Sequence, residues 1–71
     1  MFRINQRVLT EYGAGTVSGF EYIAPNLTLH HPLEFIAGSR VAVCLDCPDN
    51  WPGRKYYAHD PYFMENEIIP I

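Results

Sequence analysis

EYGAGTVSGFEY, residues 11 to 22, decides how the chain is read. Three glycines, Gly13, Gly15 and Gly19, fall within seven positions, and aromatic residues stand on both sides. Glycines this dense either cradle a phosphate or shape a turn. A dinucleotide fingerprint needs G-x-G-x-x-G after a strand and before a helix, whose N-terminus receives the pyrophosphate. Here the spacing is G-x-G-x-x-x-G, and the residues around the last glycine, TVSGFEYI, are β-branched or aromatic, as in a strand. The stretch reads as the first hairpin of a small sheet. Its glycines supply a turn with positive φ and a bend at Gly19.

The rest of the chain repeats that period of two. RVLTEY (7–12) precedes the glycine turn YGAG. SRVAVCLD (39–46) alternates Val41, Val43 and Leu45 against Ala42, Cys44 and Asp46, and is the clearest strand. RKYYAH (54–59) is predicted as a short aromatic strand, and EIIPI (67–71) as the last. YFMENE (62–67) holds one tight 3-10 turn at most. Between these runs, residues 25–39 form a long excursion with Pro25 and Pro32, and CPDNWPG (47–53) is a dense turn cluster. No window of 11 residues keeps an apolar helical stripe.

Five short strands in 71 residues, with one 3-10 turn before the last, predict an all-β, five-stranded SH3-like barrel filling the single domain 1–71. Closing a sheet removes the edges that a short apolar chain would otherwise expose. A chain this short buries only roughly 60% of its unfolded surface, so the core must be thin. Net charge is −3, against the basic footprint of a nucleic-acid binder. No apolar run nears the ~18 residues of a membrane span, and MFRINQRVLTEY lacks a signal-type apolar core, so a cytoplasmic setting without membrane contact is expected. There Cys44 and Cys47 are expected as free thiols.

The pattern NQRV…GAGTVSGFEY…GSRVAVCLD…GRKYY…ENEIIPI resembles the CAP-Gly family within the SH3-like superfold. Gly15, Val17 and Gly19 match its hairpin, Val41 to Asp46 its third strand, and Gly53 to Tyr57 its fourth. The family reads acidic-aromatic tails with a G-K-N-D-G loop. This chain has CPDNWPG there, aligning only Asp49, Asn50 and Gly53 and lacking the lysine. The resemblance therefore implies the barrel and not tail recognition. GTVSGFEYIAPNLT (15–28) is similar to a hairpin of the plasmid-encoded, trimethoprim-insensitive dihydrofolate reductases, tetrameric enzymes on the same superfold. Their V-Q-I-Y stretch has no counterpart in YYAHDPYF, so the likeness implies the fold alone.

Chemistry-bearing residues are few. C-x-x-C at Cys44 and Cys47 has zinc-knuckle spacing without a second close ligand pair. Cys44 is expected beside the core, Cys47 at the start of a turn, and no metal. His59 and Asp60 are adjacent on a predicted strand and so face opposite ways, which is no catalytic pair; Asp60-Pro61 instead starts a turn in which the carboxylate caps backbone amides. No catalytic residue and no cofactor is assigned. The aromatic residues carry the stronger signal: Trp51, Tyr56, Tyr57, Tyr62 and Phe63, with Asp49 beside them, exceed what so small a barrel can hold inside. They are the expected partner-binding residues of a non-catalytic protein-binding module, a bacterial or phage accessory protein. The alternatives are a nucleic-acid-binding barrel of Tudor or KOW type using Arg3, Arg7, Arg40, Arg54 and Lys55, and an oligomeric reductase. Leu27, Leu29, Leu33, Phe35 and Ile36 load the 25–39 excursion with apolar groups, which predicts an extra hairpin or contact with a second copy.

Overall fold

The computed structural model describes residues 1–71. Its organising element is a strand of eleven residues, β2 (Gly13–Ile23), which pairs antiparallel with three others. These are β1 (Arg7–Thr10), β3 (Leu29–His30) and β4 (Arg40–Leu45). Beyond them β5 (Tyr62–Met64) pairs with β4, and β6 (Ile69–Pro70) with β1. The path is β5-β4-β2-β1-β6, with β3 beside β2, and β5 and β6 are its unpaired ends. The fold is all-β, with 3-10 turns at Pro48–Asn50, Pro52–Lys55 and Glu65–Glu67 and no α-helix. No helix is long and apolar enough to cross a membrane. The all-β class and the 3-10 turn before the last strand are as expected, within one antiparallel sheet. There are six strands rather than five because part of the 25–39 excursion folds back as β3.

The β1–β2 connection is tighter than the glycines suggest. Thr10 pairs with Gly13, so Glu11 and Tyr12 alone form the loop. The Tyr12 N–H donates to Thr10 Oγ1 at 3.0 Å, and that hydroxyl donates to the Gly13 carbonyl at 2.9 Å. Gly13 takes φ +105°, which a side chain would strain. The expected turn YGAG thus becomes a two-residue turn, with Gly13, Ala14 and Gly15 already in β2. Gly15 answers a different need. A Cβ there would lie 2.6 Å from Val43 Cγ1 and 2.7 Å from the Cys44 carbonyl, so β2 and β4 approach only because the position is bare.

Strict alternation would put Val17 and Phe20 on opposite faces. The pairing shifts between Val17 and Gly19, so Ser18 is an extra residue, a β-bulge. That single insertion turns both Val17 and Phe20 inward, where they join Phe2, Val8, Val41, Val43, Leu45, Phe63 and Ile68 in the core. Phe35, from the long excursion, seals this core by setting its ring edge to face with Phe2 and Phe20, each at 5.7 Å. Arg7 crosses from β1 over Thr16 and grips Asp46 with both guanidinium nitrogens, at 2.7 and 2.6 Å. That bidentate grip holds the Asp46 carboxyl below the usual carboxylate range.

Three expectations change. RKYYAH is not a strand: Pro52 opens a 3-10 turn, with the Tyr56 and Tyr57 N–H groups both donating to the Gly53 carbonyl. The place beside β4 goes to Tyr62–Met64, where Phe63 lies opposite Val41 and can enter the core. Cys44 faces solvent instead of packing beside the core, because Val43 and Leu45 take the inward positions.

The two glycines of β2 separate cleanly in a test. Gly15→Ala should lose about 1–3 kcal/mol to overpacking. Gly19→Ala meets nothing within 4 Å and needs no positive φ, so it should be neutral or gain up to ~1 kcal/mol. Chemical denaturation of both variants measures the difference.

Candidate functional site

Residues 47–61 hold no strand and fold through local turns, tied to the sheet at their end by the Val43 N–H donating to the Pro61 carbonyl at 3.0 Å. Pro48 and Pro52 each occupy the first turn of a 3-10 segment, where the missing N–H costs nothing. Trp51 lies between the two turns in extended conformation. Its indole lies against Gly53, where a Cβ would come within 2.4 Å of the ring. The Asn50 side-chain amide donates to the Tyr12 carbonyl at 3.3 Å, tying this loop to the β1–β2 turn. Arg54 reaches Asp49 at 3.7 Å.

From this seat a cluster of rings extends. Tyr57 stacks on Trp51 at 6.0 Å and 20°. His59 packs against both, 5.1 Å from Tyr57 and 6.2 Å from Trp51, and Tyr62 lies 5.7 Å from His59. The His59 Nδ1–H donates to the Asp60 carbonyl at 2.8 Å, which orients the ring within the cluster. Arg40 closes the far end with its guanidinium 4.9 Å from the Tyr62 ring centroid. The same guanidinium is hydrogen-bonded to Glu21, whose carboxylate is almost wholly buried. Together these six residues line a groove of about 460 Å³. A second cleft of about 440 Å³ runs from His59, Asp60 and Tyr62 to Pro32 and Leu33.

Of the residues expected to bind a partner, Trp51, Tyr57 and Tyr62 are brought together. Asp49 stays at the rim, in contact with Arg54. Tyr56 is 80% exposed and joins none of the ring contacts. Phe63 is corrected: only 4% exposed, it packs in the core opposite Val41 rather than standing on the exposed face. His59, Arg40 and Glu21 were missed. His59 sits two residues from Tyr57 and three from Tyr62, but its position between rings depends on a turn the strand assignment hid. Glu21 and Arg40 are directly opposite across β2 and β4, visible only once the bulge sets the register.

The remaining chemistry is sparse. Asp60 caps no backbone amide; its carboxylate accepts from Ser18 Oγ at 2.8 Å. Its contact with His59 is through the backbone alone. No three His, Cys, Asp or Glu side chains cluster as a metal site would require, and both cysteines are free and exposed.

Because Trp51 is the sole tryptophan, its seat can be watched directly. Gly53→Ala should displace the indole, shifting its fluorescence to the red and weakening its near-ultraviolet dichroism, with the sheet intact by far-ultraviolet dichroism. Unchanged emission would mean that the indole does not rest on Gly53.

No protein-family model, curated protein or solved structure matches this chain, so the geometry of the ring cluster and its grooves is the basis for a functional reading.

Proposed function

We propose that this protein is a non-catalytic protein-binding module whose contact face is the cluster Trp51, Tyr57, His59 and Tyr62. One observation carries the reading: four rings from one loop and the adjoining strand pack as a cluster at the surface, with Trp51, Tyr57 and His59 in mutual contact, Tyr62 against His59, and Tyr57 56% exposed. Stacked rings have little rotamer freedom left to lose, so a partner gains large apolar area at low entropic cost. The rings lie at 20–49° to one another, packed among themselves. That suits the flank of a peptide better than the enclosure of a lone cation.

Charge supports the same choice. The net charge of −3 favours a basic partner and speeds its approach at low salt. A nucleic-acid face would need free cations, yet Arg7, Arg40 and Arg54 are each engaged by a carboxylate, leaving only Arg3 and Lys55 of the five. A cytoplasmic accessory role, bacterial or phage, is the proposed setting. Self-association through residues 25–39 would rest on Leu27, Leu29 and Leu33, which remain at least half exposed while Phe35 packs against the core.

The test is selection of peptides from a random display library on the purified protein. Wild type should enrich a sequence family, and Tyr57→Ala, equally stable because the ring is surface-borne, should lose about 2 kcal/mol or more of affinity for it. If wild type enriches nothing, or the variant binds the same peptides equally, the reading fails.

A further inference from the structure

Beside the ring cluster, and sharing Trp51 and Tyr62 with it, is a smaller hollow of about 140 Å³. Its wall is assembled from four separate segments. Glu11 and Tyr12 come from the two-residue β1–β2 loop, Trp51 from between the 3-10 turns, Tyr62 and Phe63 from β5 with Pro61 just before it, and Glu67 from the last turn. We propose that this hollow receives one cationic side chain, a lysine or arginine, of the peptide that lies along the ring cluster; the inference rests on the protein-binding reading above.

The charge balance of the molecule argues for that occupant. Its ion pairs are Arg7 with Asp46, Arg40 with Glu21 and Arg54 with Asp49. Neither Glu11 nor Glu67 has a cationic partner. Glu67 spends one oxygen on the Met64 N–H, at 2.6 Å, and Glu11 accepts no hydrogen bond from the backbone or from a cation. Both act on the same ring: the Tyr12 phenol is held above the usual range, first by the adjacent Glu11 carboxylate, then by burial and by the charge of Glu67. Two carboxylates without a cationic partner therefore converge on a space walled by the rings of Tyr12, Trp51, Tyr62 and Phe63.

Size and precedent agree. The volume is close to the ~150 Å³ of a cavity that accepts benzene, enough for a guanidinium or an ammonium with part of its stem. Tyr62 already carries one guanidinium, that of Arg40, at cation–π distance. A second cation would find carboxylates as well as rings, and its peptide would continue over Trp51 onto the exposed cluster. An anion would meet Glu11 and Glu67, and an apolar side chain would leave both unpaired.

The experiment uses peptides selected from a random display library on the whole protein, with binding read by the fluorescence of Trp51. The selected peptides should share one fixed lysine or arginine. Replacing it with glutamine should weaken binding to wild type about tenfold or more, the scale of a partly desolvated cation–π contact. The same replacement should change little on the double variant Glu11→Gln, Glu67→Gln. Should that variant not fold, Glu11→Gln alone serves, because Glu11 is an exposed loop residue. Peptides without a fixed cation, or a cation whose replacement costs the same on both proteins, would overturn the pocket. If Tyr57→Ala still abolishes binding in that case, the ring cluster survives without it. No enrichment at all would overturn both.

Discussion

Everything in this fold depends on how closely β2 can lie against β4. The contact is made at Gly15, where the missing side chain lets Val43 and the Cys44 carbonyl come within van der Waals reach of the β2 backbone. A few residues on, the Ser18 bulge turns the strand so that Val17 and Phe20 both face inward. A 71-residue chain has one thin core to build, and β2 lines most of its length. The approach and the bulge together let one strand serve β1, β3 and β4. Without them the apolar positions of β2 would fall on two faces and the core would open.

The aromatic residues divide along the same lines. Phenylalanines go inside or seal the core: Phe2, Phe20 and Phe63 are buried, with Phe35 packed on them. Trp51, Tyr57, His59 and Tyr62, each with a polar atom to keep wet, are laid out along the surface. They are supported from beneath by Gly53 and from the side by the Arg40–Glu21 pair. That pair is more than decoration. Glu21 is almost wholly buried, and removing Arg40 would leave its charge unpaired under the ring cluster. The proposed binding face thus rests on the β2–β4 register through Glu21 and Arg40, which face each other across it.

The fold class was legible because the apolar residues of β1, β2 and β4 alternate and no helical stripe competes. The glycine cluster was correctly read as hairpin, and the turn before the last strand lies where YFMENE placed it. Other features were hidden by contacts that single-sequence patterns do not carry. RKYYAH has the aromatic composition of a strand, but Pro52 commits it to a turn, and Phe63 is the better partner for Val41. The bulge at Ser18 leaves no composition signal, so the inward turn of both Val17 and Phe20 could not be seen. Trp51, Tyr57 and Tyr62 were found because too many rings crowd a small barrel. His59 was not, because it was weighed only as half of a pair with Asp60, which the strand assignment ruled out, and never as a ring among its aromatic neighbours.

The central claim is that the ring cluster is a preformed surface, fixed by its turns and by Gly53 before any partner arrives. Backbone order parameters from nitrogen-15 relaxation across residues 50–62 test it most directly. The account predicts values near those of the sheet, about 0.85. Values below about 0.6 through Trp51–His59 would contradict it, because rings on so mobile a loop could not form a standing face.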